Sequence, residues 1–264
     1  MARSRTLLSA TLILGGVLLG LRTAPGRPAT SAPGPAAPET SFVQLGSGEQ
    51  AAGAFVAWPA GRQAAPGIVV VHEWWGLNGQ IRDVARRLSS QGYIAIVPDL
   101  YHGKVASDPM KAHELVRGLE ETEALGTLEA AVAWVRAQPR GAKSRVGVIG
   151  FCMGGGLAQN LALQDPGVSA VVMFYGSPET DPEKLAKLKG ALQAHYGELD
   201  EGIPVKRVDE FRAAFQKSGR SAEIYVYPGA GHAFMHEGLP SYRPDAARQA
   251  WARTLSFFQK HLRG

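Results

Sequence analysis

The chain has 264 residues, is 45% hydrophobic and 19% charged, and carries a formal charge of +5. That composition excludes a largely disordered chain, and the length suits one large domain. The first 40 residues hold Arg3, Arg5, Arg22 and Arg27 against Glu39 alone, and the rest carries 24 basic and 22 acidic side chains. The basic balance therefore comes from the leader, and no nucleic-acid partner is expected. A single cysteine, Cys152, excludes an internal disulfide and any multi-cysteine metal site.

Arg3 and Arg5 precede an apolar run from Leu7 to Leu21. About 15 such residues suit a secretory signal better than a membrane span, which needs roughly 20. Residues 1–24 are read as a signal peptide or, if uncleaved, an N-terminal anchor. Ala24 and the Ala29-Thr30-Ser31 stretch are the alternative cleavage points, with Arg22 disfavouring the first. Export to the periplasm or beyond is expected, with membrane association only through an uncleaved leader. Residues 25–40 contain five prolines among Ala, Ser and Gly, a composition that reads as an extended linker. Residues 41–264 are the expected domain.

Within the domain, short β-type runs alternate with amphipathic helical ones. Gly67–Val71 is a continuous apolar run, as in a strand buried on both faces. A helix is expected over Ile81–Gln91 with Asn78 as its N-cap, then a strand over Tyr93–Val97. Helical patterning covers Asp108–Leu119 and Thr122–Gln138. Strands over Arg145–Ile149, Val168–Tyr175, Gly190–Tyr196 and Ala222–Tyr227 alternate with helices over Met153–Gln164 and Pro204–Ser218, and a helix over Arg243–Leu262 closes the chain. This alternation predicts an α/β fold, a mostly parallel sheet with helices on both faces.

Gly150-Phe151-Cys152-Met153-Gly154-Gly155 falls between an apolar strand and a helix rich in small residues. It has the G-x-nucleophile-x-G spacing of a nucleophile elbow, with Cys in place of Ser. Glycines two places to either side let strand and helix approach around a strained central residue. The helix N-terminus favours a thiolate there and offers a backbone N–H to an oxyanion. The competing reading of Cys152 is a small buried hydrophobe.

A thiolate needs a base, and in this arrangement an acid and then a histidine follow the nucleophile. Of the downstream histidines, His232 lies in a glycine-rich loop after the last strand, with His236 a competitor; His195 and His261 read as structural or exposed. Asp200, after the preceding strand, is the expected orienting acid. Glu198 is its neighbour and rival, and capping the helix at Pro204 is Asp200's alternative role. Asp181 and Asp209 read as solvated. Glu73 directly follows an apolar strand and sits beside Trp74 and Trp75, a poorly hydrated place that raises a carboxyl pKa; a loop salt bridge is its alternative. His72-Glu73 does not open a zinc-protease motif, because position 76 is Gly76.

Together, Val71-His72-Glu73-Trp74-Trp75-Gly76-Leu77-Asn78, Pro98-Asp99-Leu100-Tyr101, the Cys152 elbow, Tyr196-Gly197-x-x-Asp200 and Gly231-His232-Ala233-Phe234 resemble the dienelactone hydrolases, over about residues 42–264. The resemblance implies an α/β-hydrolase fold and a Cys152–Asp200–His232 triad. It also implies that Glu73 holds the resting thiol and helps release the thiolate, and that the backbone N–H groups of Trp74 and Met153 form the oxyanion hole. Trp75, Tyr101, His236 and Lys111 are the implied substrate contacts. Members that act on dienelactones hold the substrate carboxylate with two arginines; here His236 stands at one of those places and the other falls near Pro109, with Lys111 the nearest cation. Such a pair grips a carboxylate less firmly than two guanidiniums. The expected function is hydrolysis of a small ester or lactone by a monomer, with no metal or organic cofactor. The alternatives are an exported esterase or thioesterase on another acyl substrate, and a non-catalytic binding protein on the same scaffold.

Overall fold

The computed structural model describes residue 1 and residues 38–48, 51–61, 63–141 and 145–264. The expected leader, apart from Met1, and the linker up to residue 37 lie outside the described residues. Among the described residues eight strands form one sheet: β1 (Glu39–Leu45), β2 (Ala52–Trp58), β3 (Gly67–Val71), β4 (Ile94–Pro98), β5 (Val146–Phe151), β6 (Val168–Phe174), β7 (Ala191–Gly197) and β8 (Ala222–Tyr227). Their order is β1-β2-β4-β3-β5-β6-β7-β8. Pairing is antiparallel between β1 and β2 and between β2 and β4, and parallel elsewhere.

Among the described residues seven helices accompany the sheet: α1 (Gly79–Ser90), α2 (Pro109–Arg117), α3 (Glu121–Ala137), α4 (Met153–Gln164), α5 (Pro182–Leu185), α6 (Val205–Lys217) and α7 (Pro244–Phe258), whose last turn widens to a π-helix over Gln259–Arg263. The pleat of the fully buried β3 assigns its residues alternately to two cores. Val69 and Val71 pack with the apolar faces of α3, α4 and α6, while Ile68 and Val70 pack with those of α1 and α7. Helices on both faces follow from this alternation, as the sequence leads one to expect.

Helix starts follow ordinary capping chemistry. Asn78 Oδ1 accepts from the Ile81 N–H (3.1 Å) and Asp108 Oδ1 from the Lys111 N–H (2.9 Å). The β1–β2 hairpin was not expected: no strand is read before residue 67. Its β1 is an edge strand with alternating, largely exposed residues, and β2 is apolar throughout but mostly Ala and Gly, so neither shows the β-branched run that marks β3. Strand β1 also begins at Glu39, inside the segment read as linker over 25–40, so the folded part starts two residues earlier than the expected boundary at 41. Glu39 and Thr40 look like linker residues but pair with Trp58 and Ala57.

Candidate active site

Five strands that lie together at one end of the sheet order, β3, β5, β6, β7 and β8, each deliver one side chain just past their C-terminal ends: Glu73, Cys152, Tyr175, Asp200 and His232. Ligand sites in open parallel sheets form at this end of the strands.

Cys152 caps α4 with φ 54°, a left-handed conformation rare for a non-glycine residue. Its N–H donates to the Phe174 carbonyl (3.0 Å), which ties the turn to β6. The glycines around it are required by contact. A Cβ on Gly154 would lie 2.5 Å from the carbonyl oxygens of Val71 and His72, and one on Gly155 2.9 Å from Gly176 Cα. At Gly150 it would overlap the Gly154 carbonyl. Cys152 is only partly buried, so it is not a filler of the core.

His232 Nε2 lies 3.1 Å from Cys152 Sγ, and Nδ1 lies 2.7 Å from Asp200 Oδ2. Burial opposes a charge on His232, but the hydrogen bonds with Asp200 and Cys152 outweigh it and push the pKa up to about 10. The imidazole therefore carries its proton at neutral pH, held between carboxylate and sulphur. Asp200 has a fully buried side chain, and its second oxygen accepts from the N–H groups of Gly202 (2.9 Å) and Ile203 (3.0 Å). The alternative role of Asp200 as a helix cap is not present: α6 begins after Pro204 with no side-chain cap, and the second oxygen of Asp200 holds the loop before it. Glu198 instead accepts from the Gly229 N–H, Asp181 caps α5, and Asp209 pairs with Arg212.

Glu73 is 3% exposed and has no Lys or Arg partner among the described residues. Tyr175 donates its hydroxyl to Glu73 Oε1 (3.0 Å), and His236 Nε2 stands 3.9 Å from Oε2. Burial raises the Glu73 pKa to about 7, against the lowering effects of the Tyr175 hydrogen bond and the His232 charge. The implied hold of Glu73 on the resting thiol is not made. The sulphur is engaged by His232 and the carboxyl by Tyr175.

Two backbone N–H groups, that of Trp74 just past β3 and that of Met153 next to Cys152, have no hydrogen-bond partner among the described residues. Met153 is the first residue of α4 and so has no intrahelical acceptor. The Trp74 ring packs edge-on against Trp75 (5.1 Å between centroids) and against His113 of α2 (4.9 Å). The carbonyl of Trp75 accepts from the Ala106 N–H, and the Tyr101 hydroxyl donates to Met153 Sδ (3.4 Å). His236 lines a cavity of about 390 Å³ with Gly79, Gln80, Phe151 and Met235, and burial lowers its pKa.

Lys111 is not brought to this cluster. Asp108 caps the first turn of α2, and the Lys111 ammonium turns to Glu114 (2.8 Å) on the exposed side of that helix. Sequence reasoning missed Tyr175, whose φ of 38° and buried hydroxyl aim it at Glu73, and whose ring centre is 5.0 Å from that of His232. The available signal was a polar-tipped residue ending an apolar strand just before Gly176. His195, read as structural or exposed, is fully buried and bonded to Tyr227 and Gln193. Among the described residues no three His, Cys, Asp or Glu side chains converge as metal ligands.

Residues 52–262 match the model of the dienelactone hydrolase family. The chain belongs to that family. A Methylorubrum extorquens protein named "Putative carboxymethylenebutenolidase" is 34% identical over 222 residues, 79% of this chain and 76% of the relative. A Bradyrhizobium protein named "Probable 2-oxo-3-(5-oxofuran-2-ylidene)propanoate lactonase" is 30% identical over 236 residues, 84% of this chain and 95% of the relative. The crystal structure of a "Putative Dienelactone Hydrolase" from Klebsiella pneumoniae matches with a TM-score of 0.78 and 30% identity, covering 85% of this chain and 100% of that one. The sheet and its helices are an α/β-hydrolase fold, and this dienelactone hydrolase family member is a hydrolase of carboxylic esters and lactones with a small-molecule substrate.

Proposed function

We propose that Cys152, His232 and Asp200 are the catalytic triad of this hydrolase. The observation that carries the reading is the unbroken chain Sγ–Nε2 (3.1 Å) and Nδ1–Oδ2 (2.7 Å) among residues from three separate strand ends. The Cys152 thiolate attacks the carbonyl carbon, and the Trp74 and Met153 N–H groups receive the oxyanion. His232 gives its proton to the leaving oxygen as the tetrahedral adduct collapses to a thioester. It then takes a proton from water, whose attack releases the acid and the thiolate. Glu73, with a pKa near 7 and close to His232, adjusts the charge felt by the imidazolium around neutral pH.

The substrate is a small ester or lactone. We place its non-reacting part in the cavity lined by His236 and by Phe151, the residue before Cys152. With Lys111 on Glu114 and the pKa of His236 lowered by burial, neither of these two places supplies a firm cation for a substrate carboxylate, and Arg87 in the cavity wall lies over the Trp251 ring (4.2 Å). That favours a neutral ester or lactone over the carboxylated lactone in the name of the Bradyrhizobium relative. One chain suffices for this chemistry, since triad, oxyanion donors and Glu73 all come from it, and we read the protein as a monomer. It is exported, an inference supported by Arg3, Arg5 and the apolar run from Leu7 to Leu21.

The test compares the full chain with Cys152→Ala on a dienelactone and on a p-nitrophenyl ester. Turnover of both that vanishes in the variant supports the triad. Turnover of the simple ester alone, equally lost, keeps the triad and confirms the weak grip on a carboxylate. Activity that survives Cys152→Ala sinks the reading.

A further inference from the structure

His72 has no part in the triad, yet it is fully buried at the turn that leads from β3 to Glu73 and Trp74. Its Nδ1 lies 2.7 Å from the Glu73 carbonyl oxygen, and its Nε2 lies 3.2 Å from the Leu100 N–H. Nε2 must accept, so the proton sits on Nδ1 and is donated to Glu73. The network thus fixes one neutral tautomer. Burial agrees, lowering the imidazole pKa against the opposing effects of the Glu73 carbonyl and the Asp99 carboxylate. The ring is further held by Tyr101, whose centroid is 5.0 Å away, and Tyr101 is anchored by its own N–H on Asp99 Oδ1 (3.0 Å).

The Glu73 carbonyl and the Trp74 N–H belong to one peptide plane. No cis peptide occurs among the described residues, so in this trans unit the N–H points opposite to the C=O. Whatever aims the carbonyl therefore aims the N–H. The carbonyl accepts from His72 Nδ1 and from the Gly76 N–H (3.1 Å), while the Trp74 N–H is left without a partner. We propose that His72 is a positioning residue for the oxyanion hole: its imidazole, anchored on the β4 loop at Leu100, sets the 73–74 peptide plane and so the direction of the Trp74 N–H. The proposal rests on the reading of Cys152 as nucleophile and Trp74 N–H as an oxyanion donor.

The experiment separates the two. Attack of Cys152 on an ester uses the oxyanion hole, whereas its alkylation by iodoacetamide forms no oxyanion. Both rates are measured on the full chain, with Cys152 modification followed by intact mass, for wild type, His72→Phe, His72→Gln and His72→Asn. Asn places an amide where Nδ1 stands and can still donate to the Glu73 carbonyl; Gln reaches only the Leu100 end. Misaiming one oxyanion donor costs about 10²–10³-fold. Acylation by p-nitrophenyl acetate is therefore expected to fall by about 10²-fold in the Phe and Gln variants and far less in Asn, with alkylation within about twofold of wild type throughout. Acylation and alkylation falling in parallel, or following thermal stability rather than the Asn–Gln distinction, overturns the proposal. If the variants do not fold, ¹⁵N-histidine NMR of the wild type decides: a neutral His72 protonated on Nδ1 is expected, and an Nε2-protonated or charged ring overturns it. A wild-type Cys152 that is neither acylated nor alkylated fails the underlying reading instead, and the proposal with it.

Discussion

Asp200 divides its two carboxylate oxygens between His232 and the loop before α6, and substitution can separate these. In Asp200→Asn, an amide oxygen can keep the two backbone N–H bonds of Gly202 and Ile203, while the side that faced His232 Nδ1 loses its charge. A hydrogen bond to a charged group contributes about 1.5–3 kcal/mol, and one pKa unit is about 1.4 kcal/mol, so the His232 pKa should fall from about 10 by about one to two units. The wrong face is then offered to the imidazole, and loss of the orienting carboxylate in such triads lowers kcat by about 10⁴-fold. Stability should change little. Asp200→Ala loses both backbone bonds as well, leaving the buried Ile203 N–H unpaired at about 1–3 kcal/mol, or about 2–4 °C of Tm per kcal/mol. Steady-state esterase rates, ¹⁵N titration of His232 and thermal melts read these three quantities. An Asn variant that keeps kcat within a few-fold, or an unmoved His232 titration, would refute the assignment of Asp200 as the orienting acid.

Gly154→Ala forces a Cβ to 2.5 Å from two backbone oxygens; expected are a loss of about 1–3 kcal/mol or more and an inactive elbow, read by thermal melts and esterase assay. Tyr175→Phe removes the hydroxyl that favours charged Glu73, so its pKa should rise above about 7 and the acid limb of kcat/KM move to higher pH; an unmoved limb means that the charge on Glu73 does not govern activity. His195 is neutral in the fold, with burial and then the Arg253 charge lowering its pKa to about 3. The unfolded chain therefore binds its proton first, and stability is lost as pH falls from about 6.5 towards 3, at up to about 1.4 kcal/mol per pH unit. The urea-midpoint difference between wild type and His195→Phe should narrow over that range, and a constant difference excludes the effect.

The parallel core of the sheet was legible because strands buried on both faces, such as Val69–Val71, must be apolar throughout. The elbow was legible because only glycine fits at Gly150, Gly154 and Gly155. Residues whose work depends on where another strand ends were not. Tyr175 looks like the last apolar residue of β6 until Glu73 is seen beside its hydroxyl. His72 looks like half of a failed metal motif until the Leu100 N–H arrives from another loop. Lys111 shows the opposite error, since proximity in sequence to Tyr101 says nothing of the side of α2 on which its ammonium finds Glu114. Glu73 was expected against the thiol, and its partner instead came from β6.

Because each of five strands supplies one site residue, no supersecondary unit contains more than a fraction of the site. Glu73 and His232 are 159 positions apart in sequence, yet both belong to a cluster that needs β3, β5, β6, β7 and β8 already side by side. Closing such distant segments is slow, and its loop entropy is lost before the chemistry is gained. A half-assembled sheet would therefore hold an inert thiol. During refolding, esterase activity should return only with the last strand to dock, making turnover itself a reporter of complete assembly.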